Sequence, residues 1–269
     1  MSILQELLFE AVNLRKEATS LDELKIQLRL LEINIDWCTI HDDLTVDVDA
    51  DVHLGSKRLA YIPIKFGKIN GHFFCGYNFL RDLKNCPQEV TGDFWCSDNQ
   101  IKNLKYAPKK VGGAFYANRC PLTSLEGCPE EVAEFDISEN YDVLKTLEHG
   151  PKVVRGWYSC REAGVESLVG LPRLIPDFLD VAQNEKLTSL EGCPLEVGGA
   201  FYANRCNLQS LKGCPREIGG DFIVDDNQIT SLKNGPKMIG GDFYVSSNPL
   251  EGGWEFERPK SLKVMGEIF

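Results

Sequence analysis

The chain has no uninterrupted apolar run of about 18 residues, so no membrane-crossing helix is expected. Catalytic signatures are also missing: there is no G-x-S-x-G, no H-E-x-x-H and no phosphate-binding P-loop. The four histidines, His41, His53, His72 and His149, are scattered. With no nucleophile–base constellation to point to, the chain is expected not to be an enzyme and to need no cofactor. No C-x-x-C pair occurs, which removes the usual signal for a zinc site. Cationic charge is in deficit, 29 Lys and Arg against 40 Asp and Glu for a net charge of −11. Nucleic-acid affinity rests on cationic neutralisation of phosphates, so no nucleic-acid partner is expected, and no membrane partner either.

What is present is a folded composition, 43% hydrophobic and 26% charged, in 269 residues. Glu6 and Glu10 interrupt the apolar residues of the opening MSILQELLFEAVNLRKEA, which predicts no signal peptide. Ten cysteines would suit a disulfide scaffold, but their placement argues otherwise. Cys86, Cys128, Cys193 and Cys214 each precede a proline, and Cys75, Cys96 and Cys160 recur at an inward strand position. Reduced cysteines acting as small hydrophobes in a cytoplasmic protein are expected.

Pro87, Pro108, Pro129, Pro151, Pro172, Pro194, Pro215 and Pro236 follow one another at spacings of 21 or 22 residues. A fixed period of this length marks a solenoid. The string GGAFYANRC occurs at Gly112–Cys120 and again at Gly198–Cys206, as block duplication within an array would leave it. After each Gly-Gly turn a short strand is expected, with alternate residues inward. The inward pairs are Phe73 and Cys75, Phe94 and Cys96, Phe115 and Ala117, Phe135 and Ile137, and Tyr158 and Cys160. They continue as Leu179 and Val181, Phe201 and Ala203, Phe222 and Val224, and Phe243 and Val245. Five residues after the first inward position stand Asn78, Asn99, Asn140, Asn184, Asn227 and Asn248, each able to donate and accept at once and so to satisfy the turn. Cys120 and Cys206 replace that Asn in the duplicated strings. The organisation expected is a cap over 1–60, about nine coils over 61–250 and a C-terminal cap over 251–269.

In the N-terminal cap, Ser20 with Glu23 reads as a capping box ahead of a helix reaching about Asn34, and an earlier helix is expected over about Ile3 to Lys16. The stretch TVDVDADVHL alternates Val46, Val48, Ala50 and Val52 with Asp47, Asp49, Asp51 and His53, as one cap strand would. A calcium loop numbered from Asp47 fails, since its sixth and twelfth places hold Val52 and Arg58 where Gly and Glu are needed. Trp254 and Phe256, alternating with Glu255 and Glu257, predict the C-terminal cap.

The strings LTSLEGCPEEV from Leu122, LTSLEGCPLEVGGAFY from Leu187, DDLTVDVDADVHL from Asp42 and IPIKFGKINGHFFC from Ile62 carry a family resemblance. The array resembles the leucine-rich-repeat superfamily, and more closely the short-repeat proteins of tailed bacteriophages. The resemblance runs from about residue 35 onward. It implies leucine-rich-repeat-like parallel β coils with a helical N-terminal cap, and a viral origin. It says little about activity.

The outward strand face is then the informative surface, lining the concave side in leucine-rich repeats. Its central column reads Phe74, Trp95, Tyr116, Asp136, Ser159, Asp180, Tyr202, Ile223 and Tyr244. His72, Asp93, Glu134, Trp157, Phe178, Asp221 and Asp242 flank it on one side, with Ser97, Asn118, Arg161, Asn204 and Asp225 on the other. Aromatic residues beside acidic and small polar ones make a protein-binding composition. The expected function is a non-enzymatic interaction module of a bacteriophage, binding a bacterial host protein in the cytoplasm and inhibiting a defence or regulatory factor. The alternatives are a glycan or small ligand stacked on the aromatic stripe, and an acidic decoy for a nucleic-acid-binding protein.

Overall fold

In a computed structural model, which describes residues 14–141, 143–251 and 259–269, the chain winds into a mainly-β parallel solenoid of about ten coils. Each coil contributes a face strand only two residues long. Val52–His53, Phe73–Phe74, Phe94–Trp95, Phe115–Tyr116, Phe135–Asp136, Tyr158–Ser159, Leu179–Asp180, Phe201–Tyr202, Phe222–Ile223 and Phe243–Tyr244 stack into one ten-stranded sheet. Strands this short hold because each N–H and C=O bonds to the coil above or below, as Cys96 N does to Tyr116 O at 2.8 Å.

The register sets like residues on like: Phe73 pairs with Phe94, and Phe94 with Phe115. The expected inward pairs are all buried, from Phe73 and Cys75 to Phe243 and Val245. Phe73–Phe94, Phe94–Phe115 and Phe115–Phe135 lie 5.8, 5.2 and 5.6 Å apart between ring centroids. Such a column is worth more than its area alone, since each offset ring pair adds about 0.5–1.5 kcal/mol. The asparagine ladder forms as well. Asn99 Oδ1 accepts from Leu80 N (2.9 Å), and its Nδ2 donates to Cys75 O (3.0 Å) and Cys96 O (2.9 Å), so one side chain ties two coils. Where cysteine replaces it, Cys120 Sγ still reaches Cys96 O (3.5 Å) and Cys206 Sγ reaches Val181 O (3.4 Å). All ten cysteines are free. Burial pushes the thiols of Cys86, Cys96, Cys128, Cys160 and Cys193 well up, and those of Cys120, Cys206 and Cys214 to about 12. Such thiols hold their protons and pack as apolar groups.

Before the corner lies a second strand in each coil, which the sequence reading did not anticipate. Glu89–Val90, Lys110–Val111, Glu196–Val197 and Glu217–Ile218 are examples, each directing its second residue into the core. The Gly-Gly pair marks the bend between the two strands. A Cβ on Gly219 would overlap the carbonyl oxygen of Gly198 one coil away, so the coils can approach this closely only without a side chain.

These flank strands do not form one sheet. They divide into a five-stranded, a two-stranded and a five-stranded piece, and the sequence supplies both breaks. Four positions separate Val111 from Phe115, whereas only three separate Val132 from Phe135. Full corners make two bonds to the previous coil, Gly112 N to Val90 O and Gly113 N to Gly92 O, both 2.9 Å. The shortened corner keeps one, Ala133 N to Gly113 O (2.9 Å), and Arg155 Nη2 bridges the gap to Gly112 O (2.5 Å). At the second break Pro176 has no N–H to offer Val154, where Gly198 N bonds Ile175 O at 2.8 Å.

The ends correct several expectations. The helix α1 spans Leu21–Leu30, capped by Ser20, whose side chain accepts from Glu23 N. It stops short of Asn34 because Glu32 turns left-handed (φ 63°), and Asn34 instead caps a short 3-10 turn at Ile35–Trp37. The reciprocal arm of the capping box misses Ser20: Glu23 Oε2 accepts from Thr19 N and Thr19 Oγ1 at 2.8 Å each. The helix expected over Ile3 to Lys16 lies outside the described residues apart from a turn at 14–16, and Trp254 and Phe256 lie outside them altogether. TVDVDADVHL is not one strand. Val46–Val48 joins the flank series, Val52–His53 opens the face sheet, and the bend falls between them, so coil register begins inside 1–60. The intervening acids face the next coil: Asp47 Oδ1 accepts from Lys68 N (2.6 Å) and Asp51 Oδ1 from His72 N (2.8 Å). At the other end Lys263–Val264 pairs with Met238–Ile239 and continues the flank ladder.

Candidate binding face

The ten-stranded sheet presents three outward columns, and in them the aromatic residues touch. His53 stacks on Phe74 at 4.8 Å and 8°, Phe74 meets Trp95 at 6.2 Å, and Trp95 meets Tyr116 at 4.9 Å. The next three central positions are Asp136, Ser159 and Asp180, and there the line of rings steps sideways into the flanking column. Tyr116 reaches Trp157 (6.1 Å), Trp157 stacks on Phe178 (5.1 Å, 8°), and Phe178 meets Tyr202 edge-on (6.2 Å), back in the central column. A separate pair, Tyr244 on Phe269 (4.9 Å, 12°), closes the far end. Phe74, Trp95, Tyr116, Trp157, Phe178, Tyr202 and Tyr244 are all half-buried, since each ring shields its neighbours.

The sidestep leaves the central positions between Tyr116 and Tyr202 to Asp136, Ser159 and Asp180, of which Ser159 is buried. Asp136 Oδ1 accepts from Ser138 N (2.9 Å) and Ser138 Oγ (2.6 Å), and Asp180 Oδ1 from Ala182 N (2.9 Å). Those bonds do not compensate for the loss of water, and burial raises the pKa of both carboxyls above the ordinary aspartate range. Asp225 is raised for the same reason. Tyr116 donates to Glu134 Oε2 (3.2 Å), and burial together with that carboxylate pushes its phenol up to about 12.

Charge on the face is one-sided. Asp51, Asp93, Glu134, Asp136, Asp180, Asp221, Asp225, Asp242 and Glu267 stand against a single full cation among the described residues of these columns, Arg161. Its Nη1 lies 3.9 Å from Asp180 Oδ2, too far for a hydrogen bond. Some of the expected acids also serve the fold. Asp93 Oδ1 accepts from Ala114 N, Asp221 Oδ1 from Asp242 N, and Asp242 Oδ1 from Glu267 N, each at 2.8 Å.

One expected site residue does not belong to the accessible face. Asn118 is buried and accepts from Ser97 Oγ of the neighbouring coil, because the small side chains of that column fold inward onto each other. Asn204, the same position of the duplicated string, stays half-buried. Arg119 and Arg205, in the two identical strings, do not join the face. They pair instead along a row of their own, Arg119 with Asp98 (2.8 Å) and Glu139 (3.6 Å), and Arg205 with Asp226 (3.4 Å).

That row escaped the sequence reading. Tyr77, Asp98, Arg119, Glu139, Glu162, Gln183, Arg205, Asp226 and Ser247 all adopt left-handed φ between 51° and 60°. None is Gly or Asn, the usual signal for such a turn, and only the fixed place one residue before the ladder position, held by Asn, Cys or Ala, gives it away.

Among the described residues, no group of three or more His, Cys, Asp or Glu is placed to hold a metal ion, and no helix is long and apolar enough to cross a membrane. Compared with known protein families, curated proteins and solved structures, the chain matches none.

Proposed function

We propose that the chain is a non-enzymatic interaction module that holds a partner protein against its ten-stranded face. The observation that carries this reading is the continuous line of ring contacts from His53 to Tyr202, bordered by carboxylates that far outnumber the one arginine of these columns. Aromatic anchors lose little conformational entropy on binding, and the backbone beneath these is fixed by the coil ladder. A rigid, pre-formed stripe of this kind suits a partner that docks along several coils at once. The bacteriophage resemblance extends the reading to a viral protein in the host cytoplasm that captures a bacterial protein, inhibiting a defence or regulatory factor.

Trp157 and Phe178, stacked at 8° beside Asp180, favour one second reading, in which a sugar ring lies on that platform. The two are separated by one experiment. The tagged protein and its Trp95→Asp, Tyr116→Asp variant are incubated with nuclease-treated bacterial lysate and the bound proteins identified, while a glycan panel is titrated against tryptophan fluorescence. Capture of one protein by the parent alone, with unchanged melting of the variant, is expected. Equal capture by both removes the face from consideration, and saturable quenching by a glycan without capture favours the sugar reading.

A further inference from the structure

The non-aromatic stretch of the central column narrows the chemistry of what the face receives. This inference rests on the reading of the face as a partner surface. We propose that the part of the partner seated between Tyr116 and Tyr202 is an extended polypeptide segment carrying two Lys or Arg side chains three residues apart.

The identical strings around Tyr116 and Tyr202 bracket three coils that replace the central aromatic with Asp136, Ser159 and Asp180. Over those coils the rings of Trp157 and Phe178 form a wall along one side, at 5.1 Å and 8°. Carboxylates on the central column and a stacked pair of rings alongside are complementary to a guanidinium or ammonium and its aliphatic stem. A neutral or acidic segment would bury these carboxylates further without adding a countercharge, which is costly. The protein's own Arg161 lies within ion-pair reach of Asp180 Oδ2 (3.9 Å) but makes no hydrogen bond to it, so a basic side chain of the partner can compete for that carboxylate.

The spacing follows from the solenoid. Asp136 and Asp180 are two coils apart, about 9.6 Å at ~4.8 Å per strand. A polyproline-II segment advances ~3.1 Å per residue and returns to the same face every three residues, about 9.3 Å. Two basic side chains at i and i+3 therefore meet the two carboxylates with their stems on one side. The same stretched conformation is the one that aromatic-lined surfaces take up with little ordering cost.

The test uses short peptides on the full chain. Acetyl-Ala-Pro-X-Pro-Pro-X-Pro-Ala, with X as Arg, Gln or Glu, is titrated against intrinsic tryptophan fluorescence, together with Ala-Pro-Arg-Pro-Arg-Pro-Pro-Ala as a spacing control. The Arg peptide is expected to bind about ten-fold more tightly than the Gln peptide, the scale of one charge-assisted contact, and more tightly than the spacing control. Asp136→Asn with Asp180→Asn should bring the Arg peptide down to the Gln level without lowering the melting temperature. Binding of Gln or Glu peptides at least equal to Arg overturns the basic segment and leaves the face reading in place. Absence of any response overturns this inference too, and the face reading falls with it only if Trp95→Asp, Tyr116→Asp leaves partner capture unchanged.

Discussion

The duplicated coils around Phe115 and Phe201 and the three coils between them are built on one repeat but carry different loads. In the duplicated coils Phe points inward, Tyr outward and Gly-Gly marks the corner, and the ladder Asn alone is replaced, by Cys120 and Cys206. In the middle coils Tyr158 and Leu179 stand in the core column, the corner at Ala133 is one residue short, and Pro176 interrupts the ladder. The same coils carry Asp136, Ser159 and Asp180 on the face. Local rules are broken together in one place, as expected where a sequence has been spent on something other than stability. Regular coils supply the frame, and the irregular ones give the stripe its one distinctive chemical feature.

The comparison breaks first at the asparagine ladder. Asn184 Oδ1 accepts from Gly164 N (2.8 Å) and Val165 N (2.9 Å), and its Nδ2 donates to Cys160 O (3.0 Å) and Val181 O (2.8 Å). Asn184→Ala strands Gly164 N, Val165 N and Cys160 O and leaves Val181 O only the Cys206 thiol, so a loss of several kcal/mol, about 1–3 for each unsatisfied group, is expected by chemical denaturation. A loss no larger than that of Asn248→Ala, in a half-buried terminal position, would show that the irregular coils do not depend on the ladder.

Core truncation comes next. Phe222→Ala in a regular coil should cost about 3–5 kcal/mol, the usual range for a fully buried ring. The equivalent middle residue answers differently. Tyr158 is fully buried, and its hydroxyl has no hydrogen-bond partner among the described residues. Tyr158→Phe should therefore raise stability, by up to about 1 kcal/mol, and a lowered unfolding midpoint would mean that the hydroxyl is satisfied after all.

Asp136→Asn gives a smaller effect, with a definite pH dependence. Burial raises the folded pKa above the ordinary 3.8, so the charged form costs stability at neutral pH and the penalty is relieved as pH falls through the folded pKa. The Asn variant should be the more stable protein near pH 7, and the two melting curves should converge in acid. A gap that widens on acidification would contradict the burial argument. Smallest is Lys152→Ala at the exposed Lys152–Glu130 pair (2.6 Å), for which a change within about 0.5 kcal/mol in thermal unfolding is expected.

Much of this architecture is legible in the sequence because a solenoid repeats its instructions. The proline period and the Phe and Asn columns each recur many times, so single exceptions cannot hide them. The flank strand is not legible, since two residues such as Glu196–Val197 are too short to show a period of two. TVDVDADVHL misleads because a bend between two aligned strands preserves the alternation that a single strand would have. Asn118 and Arg161 occupy the same column, and nothing in their spacing says that one is buried against Ser97 while the other lies near Asp180. The ring line itself has no signature in the repeat: Trp157 and Phe178 belong to a different column from Tyr116 and Tyr202, and only their approach in space joins them.

The central claim is that the aromatic face, and not the flank strands, carries the partner. The direct measurement is the affinity of the captured partner for three proteins: the parent, Trp95→Asp with Tyr116→Asp, and Lys68→Glu with Lys110→Glu on the flank strands. The account predicts that the first and third bind equally and that the second loses at least about a hundred-fold, the scale of two anchor residues. Retained binding by the face variant, or loss confined to the flank variant, would contradict it.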